Sequence, residues 1–377
     1  MKNKIFKKII SSFLVINLLF LMSCTNNNTT NSNSNTHIVV DHNGNSVEIP
    51  NVIDKVVVTD IYPFVSVLSI FTETADKIVG MAPPSMVAAK NSLLSELYPN
   101  LLNAKTDFVN GGNVNIEELL KLEPDVVFYP ASSPAQGEMY SNAGIPALAI
   151  SVNKWNYDAI ETLNNWLKLI GDVFNLNNKV KLANEYASRV YNDVKKRVNS
   201  ISAADKRKSF FLFQYSDTNI MTSGKNFFGQ WWAESIGCKN VSEELEKDNS
   251  VSVNMEQIYV WDPDLIFITN FTSVYPKDLY NNTVGNYNWS EIDAIKNQQC
   301  FKMPLGMYRT YTPGIDTPIT LYYLAKCAYP TLFEDIDIEL EVKKYYKDVF
   351  NIDLNDEQVN KIFNPNKEAG IGFSSGK

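Results

Sequence analysis

Two stretches of the chain repeat one pattern and constrain the fold more than any other feature. NVNIEELLKLEPDVVFYP (residues 113–130) and VSVNMEQIYVWDPDLIFITN (residues 251–270) each place an asparagine before a helical stretch, then Pro-Asp, then an apolar strand. Proline ends the helix and favours extended geometry in the residue before it. The repetition therefore predicts two similar lobes, each containing this helix–strand unit.

The flanking sequence alternates short apolar strands with helices. The strands include KVVVTD (residues 55–60), KIVGM (77–81), ALAISV (147–152) and SFFLFQYS (209–216). Before them, HIVVDHNGNSVEIP (37–50) has the alternation and the Asn-Gly turn of a hairpin. Strands separated by helices at this spacing favour parallel sheets.

A long helix without an accompanying strand is predicted from residue 177 to about residue 200. Its apolar residues follow the 3.6-residue helical period, and 24 residues would span about 36 Å. The predicted fold class is α/β, with two Rossmann-like lobes that have parallel-rich sheets and are joined by one long backbone helix. The predicted boundaries are an N-terminal lobe at 37–176, the helix at 177–200, a C-terminal lobe at 201–362 and a loose tail at 363–377.

The first 36 residues have the pattern of an export signal followed by a tether. MKNKIFKK carries four lysines and precedes the apolar run IISSFLVINLLFLM, which is shorter than the roughly 20 residues of a membrane-spanning helix. Leu21-Met22-Ser23-Cys24 resembles the lipobox of bacterial lipoproteins, so residues 1–23 are predicted to be removed and Cys24 to carry lipid. Residues 24–36 are then a polar, flexible tether. We expect an extracytoplasmic, membrane-anchored protein.

Charge and residue counts argue against several classes of function. The net charge of −8 becomes −12 once the four signal lysines are removed, which disfavours nucleic acid as a partner. The remaining cysteines, Cys238, Cys300 and Cys327, are odd in number and lack CxxC spacing, so we expect core residues rather than metal ligands. The two histidines, His37 and His42, are expected on the surface of the hairpin, and no histidine-based metal or catalytic centre is predicted.

The arrangement resembles the helical-backbone (class III) substrate-binding proteins of ABC importers for ferric siderophores, haem and cobalamin. The resemblance covers about residues 37–362 and includes VVDHNGNSVEIP, both Pro-Asp units, SGKNFFGQWWAESIGCKNV and NWSEIDAIKNQQCFKMPLGMY. It implies a monomeric protein, not an enzyme and without a resident cofactor, that binds a small-molecule metal complex between its lobes. It also implies docking to a membrane permease through acidic residues, for which Glu96 and Glu234 are the candidates by approximate position.

Candidate ligand contacts lie in the loops that follow the strands, where α/β proteins bind ligands. Aromatic side chains offer flat faces and hydroxyls for a chelate, and the guanidinium of Arg309 can bind a carboxylate or chelate oxygen. The predicted ligand-binding residues are Tyr62, Asn113, Tyr129, Trp155, Tyr215, Phe271, Tyr287, Tyr308, Arg309 and Tyr311. Tyr129 or Tyr215 could ligate iron directly if the ligand is haem, whereas Trp231, Trp232 and Trp289 are expected to pack.

The preferred hypothesis is binding of an iron complex, most simply a ferric siderophore. The same scaffold could bind cobalamin, haem or a nickel chelate, because the cleft loops vary more than the scaffold does. An anchored hydrolase using paired carboxylates and a surface adhesin are distant alternatives. The hydrolase is disfavoured because no nucleophile motif, metal-ligand spacing or phosphate loop is found in the sequence.

Overall fold

A computed structural model describes residues 35–246 and 250–371. The export signal, Cys24 and most of the tether lie outside the described residues. In the N-terminal lobe the elements are β1 (Thr36–Val40), β2 (Ser46–Pro50), β3 (Val56–Val58), α1 (Phe64–Phe71), β4 (Ile78–Met81), α2 (Pro83–Lys90), α3 (Leu93–Leu97), β5 (Val109–Asn110), β6 (Asn113–Val114), α4 (Ile116–Leu120), β7 (Val126–Pro130), α5 (Pro134–Asn142), β8 (Ala147–Ile150) and α6 (Ala159–Phe174).

The long helix α7 (Asn177–Val198) leads into the second lobe. The elements that follow are β9 (Lys208–Leu212), β10 (Gln214–Ser216), β11 (Asn219–Thr222), α8 (Phe228–Ser235), β12 (Lys239–Asn240), β13 (Val251–Val253), α9 (Met255–Trp261), β14 (Leu265–Ile268), α10 (Pro276–Tyr280), α11 (Asp293–Lys296), β15 (Cys300–Lys302), α12 (Thr317–Ala328), α13 (Ile338–Phe350) and α14 (Asp356–Phe363). Short 3₁₀ helices lie at Pro99–Asn103, Pro330–Phe333 and Lys367–Gly370.

Each lobe contains a four-stranded parallel sheet with the same strand order. The first sheet has the strand order β4-β3-β7-β8 and the second has the order β12-β9-β14-β15. When the four strands of each sheet are numbered along the chain, both sheets have the order 2-1-3-4. Matching order in two sheets confirms the predicted fold class of two parallel-rich lobes with one long helix. A three-stranded antiparallel sheet, β10-β11-β13, was not predicted. It forms because SFFLFQYS divides into two strands, β9 and β10, instead of one.

The repeated Pro-Asp motif ties the third strand of each sheet to the first. The Asp125 carboxylate accepts hydrogen bonds from the backbone N–H groups of Asp54 (2.7 Å) and Lys55 (2.8 Å), just before β3. The Asp264 carboxylate accepts one from the N–H of Lys208 (2.7 Å), at the start of β9. The aspartate therefore satisfies a strand-end backbone donor that the sheet leaves unpaired. The same local chemistry explains why the motif occurs once per lobe.

Helix α7 buries one face against helices of both lobes. Its buried residues Val180, Ala187 and Val194 follow the helical period, and it packs against α6, α8, α12 and α13. At 1.5 Å per residue, its 22 residues extend about 33 Å. Among the described residues, no helix is both long and apolar enough to cross a bilayer. Cys238, Cys300 and Cys327 are free thiols, the first two buried and the third partly buried.

Candidate functional site

Arg309 lies at the boundary of the two lobes, in the loop that follows β15. Its guanidinium Nε donates to the carbonyl oxygens of Asn270 (3.0 Å) and Ala369 (2.9 Å). Nη1 donates to the hydroxyl of Tyr308 at 2.9 Å and to the carbonyl of Pro84, in the other lobe, at 3.4 Å. Only 1% of Arg309 is exposed. The structure therefore places the predicted anion-binding side chain between the lobes, surrounded mainly by backbone oxygens.

The loop that carries Arg309 is held by a buried carboxylate. Asp316 accepts hydrogen bonds from the N–H of Met307 (2.7 Å) and the hydroxyl of Tyr346 (2.5 Å). Burial raises the Asp316 pKa to about 6, against the effect of these hydrogen bonds, which lower it. Gly306 passes so close that an added Cβ would lie 2.2 Å from the Asp316 carboxyl carbon. Asp316 and Gly306 thus fix the backbone from which Arg309 projects.

Tyr62 and Asp60 contribute the N-terminal side of the same region. Their side chains are hydrogen-bonded to each other, and burial raises the pKa of both groups. Tyr62 also lies within electrostatic range of Tyr308 and Arg309. Both residues follow β3, at the carboxyl end of the first sheet, where ligands of α/β proteins bind. The predicted residues Tyr62, Tyr308 and Arg309 are therefore brought together, with Asp60 as a neighbour that the prediction did not include.

An aromatic belt runs from Arg309 along the second lobe. It consists of the rings of Phe271, Phe213, Tyr311, Phe227 and Tyr157. Arg309 lies 5.1 Å from the Phe271 ring centroid, within the range of a cation–π contact. Successive ring centroids are 5.0–6.1 Å apart along the belt: Phe271–Phe213 5.0 Å, Phe213–Tyr311 5.4 Å, Tyr311–Phe227 6.1 Å and Phe227–Tyr157 5.0 Å. Tyr157 belongs to the first lobe, so the belt also crosses the boundary.

A pocket of about 700 Å³ opens at the far end of the belt. Its walls come from both lobes and carry mostly polar side chains. The lining residues are Asn153, Asn156, Tyr157, Lys225, Asn226, Phe227, Gln230, Trp231, Glu234 and Glu243. This volume is in the range of a small-ligand site. Except for Glu234, predicted as a docking residue, none of these side chains was predicted to be functional, although SGKNFF in the sequence supplies three of them.

Four of the predicted contacts lie on outer surfaces or in other clusters. Tyr129 points to the side of β7 opposite Phe128 because strand side chains alternate, and it packs against Tyr140 at 5.7 Å. The Tyr215 hydroxyl donates to the Val284 carbonyl (2.6 Å) and accepts from the Trp289 indole (3.0 Å). Tyr287 packs on Tyr215. Asn113 is exposed in the β5–β6 hairpin.

Trp155 contacts the hairpin and is not among the residues that line the pocket. Its ring lies edge-on to His42, with centroids 5.0 Å apart. The N–H of Ser151 donates to His42 Nδ1 at 3.0 Å, and burial lowers the His42 pKa to about 4. The expectation of a surface histidine is therefore wrong for His42, because the hairpin folds back onto the loop after β8. Trp232 and Trp289 are buried as expected, whereas Trp231 borders the pocket.

The two predicted docking glutamates differ in their surroundings. Glu96 forms an ion pair with Lys361 at 2.8 Å. Glu234 is exposed on α8 beside the pocket and accepts a hydrogen bond from Gln230 at 2.8 Å. Across residues 35–246 and 250–371, no cluster of three or more His, Cys, Asp or Glu side chains is arranged to hold a metal ion.

Two lobes with matching parallel sheets and one long helix are the fold of two-lobed solute-binding proteins. Residues 67–305 match the family described as periplasmic binding protein. The chain therefore belongs to that family, and it is a solute-binding protein of an ABC importer rather than an enzyme.

Individual relatives fit this assignment. The chain is 28% identical over 260 residues to the molybdate-binding protein MolA of Haemophilus influenzae, covering 62% of this chain and 69% of MolA. It is 23% identical over 264 residues to the uncharacterized ABC transporter substrate-binding lipoprotein YvrC of Bacillus subtilis, covering 69% and 76%. A periplasmic solute-binding protein of Veillonella parvula superposes with a TM-score of 0.78 at 28% identity, covering 88% of this chain and 97% of that one. The nickel–histidine complex of Helicobacter pylori CeuE shares the fold, with a TM-score of 0.68 at 22% identity, covering 87% and 99%.

Proposed function

We propose that this protein captures an anionic metal complex, most simply a ferric siderophore, between its lobes and delivers it to the permease of an ABC importer. The proposal rests on the position of Arg309. Its guanidinium is buried at the lobe boundary and lies against the ring of Phe271. A guanidinium binds carboxylate and chelate oxygens through two parallel hydrogen bonds. The rings beside it suit the flat, apolar part of an organic chelator.

A small oxyanion is a second candidate ligand. The relative MolA is named as a molybdate-binding protein, and the pocket offers Lys225 together with amide groups such as those of Asn153 and Gln230. These groups are hydrogen-bond donors suited to a compact anion. Cobalamin, haem and a nickel chelate remain further ligands that this scaffold could accept.

The route of delivery completes the proposal. Lipidation of Cys24 would anchor the protein outside the cytoplasmic membrane. The relative YvrC is named as a lipoprotein. Glu234, exposed beside the pocket, and Glu96 are the proposed contacts with basic residues of the permease. The protein would act as a monomer and carry no resident cofactor.

Binding can be measured by fluorescence, because Trp231 borders the pocket. We expect saturable quenching with at least one member of a panel containing catecholate, hydroxamate and carboxylate ferric siderophores, haem, cobalamin, nickel–histidine and molybdate. Arg309→Lys should weaken binding of that ligand about 10- to 100-fold, since a hydrogen bond to a charged group contributes about 1.5–3 kcal/mol. Arg189→Lys, an exposed site on α7, is the control and should bind normally. Absence of a response to every ligand, or equal affinity in the Arg309 variant, would contradict the proposal.

A further inference from the structure

Residues 364–371, which belong to the stretch predicted to be a loose tail, pack against the rest of the fold. This C-terminal segment (residues 364–371) contains a 3₁₀ helix, Lys367–Gly370, which packs against α2 of the first lobe. The Asn366 side chain donates to Asn91 of that lobe at 3.3 Å. The Tyr275 hydroxyl of the second lobe donates to the carbonyl of Pro365. The segment therefore lies across the lobe boundary and is held from both sides.

Gly370 shows how closely the segment fits. A Cβ added to this glycine would lie 2.3 Å from the carbonyl carbon of Thr272 and 2.5 Å from the backbone nitrogen of Ser273. Backbone therefore rests on backbone, and only glycine leaves enough room. The contact falls in the loop between β14 and α10, which also carries Asn270 and Phe271 beside Arg309.

The segment presents an oxygen to the guanidinium. The Ala369 carbonyl oxygen accepts from Nε of Arg309 at 2.9 Å and from Nη2 at 2.6 Å, and Ala369 is 0% exposed. Nε and Nη2 form the edge of the guanidinium that receives a carboxylate through two parallel bonds. The Ala369 oxygen thus occupies the position where an acidic group of a ligand would bind Arg309.

We infer that the C-terminal segment is an intramolecular occupant of the Arg309 end of the cleft, and that an incoming ligand must displace it with its own acidic oxygen. This inference rests on the proposed function for the nature of the ligand. It also gives the ligand's class: a molecule with a carboxylate or similar oxyanion at one end. Only molecules in which the segment is released can bind the ligand. The apparent affinity therefore equals the intrinsic affinity multiplied by the fraction of molecules in that released state.

The test begins without any ligand. Phenylglyoxal, which modifies accessible guanidinium groups, should react with Arg309 of the full-length protein at least ten-fold more slowly than with exposed Arg189. Hydrogen exchange should show protection of residues 366–371, whose backbone includes the Ala369 N–H bonded to Asn366. Unprotected exchange in this segment, or fast modification of Arg309, would overturn the inference.

Gly370→Ala should release the segment because its methyl group has no room. Exchange in residues 366–371 and modification of Arg309 should each rise at least ten-fold, while Arg189 reacts unchanged. The matched control is Gly314→Ala, where an added Cβ meets nothing within 4 Å. If Gly370→Ala does not fold, Tyr275→Phe removes one hydrogen bond to the segment and should raise both rates in the same direction. Faster exchange without faster Arg309 modification, or no change in either rate, would refute the inference.

Experiments with ligand distinguish the proposed function from the displacement of the C-terminal segment. A ferric siderophore that binds the native protein should increase exchange in the segment and should bind Gly370→Ala about 10- to 100-fold more tightly. A siderophore that binds with the segment still protected would refute displacement while leaving the proposed function intact. If no member of the panel binds either protein, the proposed function fails, and the modification rate of Arg309 still decides whether the segment covers it.

Discussion

Replacing Asp316 by asparagine should remove a pH dependence that the native structure builds into its stability. Burial raises the Asp316 pKa from its ordinary 3.8 to about 6. Between these values the folded protein binds more protons than the unfolded chain, so native stability falls as pH rises. The difference between the two pKa values, at about 1.4 kcal/mol for each unit, corresponds to about 3 kcal/mol in the free energy of unfolding. Asparagine has the same shape but does not titrate in this range.

Urea unfolding followed by tryptophan fluorescence measures this effect. The free energy of unfolding of Asp316→Asn minus that of the native protein should increase by about 2.4 kcal/mol between pH 4 and pH 7. The change is smaller than the full value of about 3 kcal/mol because the unfolded carboxyl, with its ordinary pKa of 3.8, is already partly ionised at pH 4. Asp335→Asn is the control: the hydrogen bond from Arg197 lowers the Asp335 pKa below its ordinary 3.8, so the stability it contributes is lost only as pH falls below about 4. The difference in free energy of unfolding for Asp335→Asn should therefore stay nearly constant between pH 4 and pH 7. A difference for Asp316→Asn that stays constant across this range would show that the carboxylate is not desolvated as the structure has it.

Three further substitutions test other parts of the site. Lys302→Met should lower the free energy of unfolding by about 2 kcal/mol in urea titrations, because the buried ammonium donates to the carbonyls of the 269–274 loop at 2.8–2.9 Å. Gly306→Ala should cost about 1–3 kcal/mol through contact with Asp316, whereas Gly314→Ala should stay within about 0.5 kcal/mol; equal effects would contradict the close contact. Tyr129→Phe should leave ligand affinity, measured by fluorescence titration, unchanged, because Tyr129 packs outside the cleft. Weaker ligand binding by Tyr129→Phe would indicate that Tyr129 contacts the ligand.

The fold was predictable because its main signals are local. Asn115 and Asn254 cap their helices by accepting backbone N–H hydrogen bonds, and Asp125 and Asp264 tie strand ends together. These side chains act within a few residues or on one neighbouring strand, so the sequence pattern records them directly. The periodic apolar face of α7 is equally local.

The site was only partly predictable because it depends on which way side chains point. Arg309 was selected because a guanidinium in a loop between aromatic residues can bind a carboxylate or chelate oxygen, with an internal salt bridge as the alternative. Tyr129 and Tyr215 pack in clusters other than that of Tyr308 and Tyr311, and the sequence does not specify this because a tyrosine near a strand end can face either side of the sheet. The C-terminal segment was missed for a different reason: a backbone carbonyl at Ala369 and the lack of a side chain at Gly370 hold it in place. No pattern of side chains records such contacts.

We propose that the ligand binds between the lobes at Arg309. The most direct measurement is a crystal structure of the full-length protein with the tightest-binding complex of the panel. We expect a ligand oxygen within about 3 Å of Nε and Nη2 of Arg309, with the Ala369 carbonyl displaced. A ligand bound elsewhere, with the Ala369 oxygen still on Arg309, would contradict it.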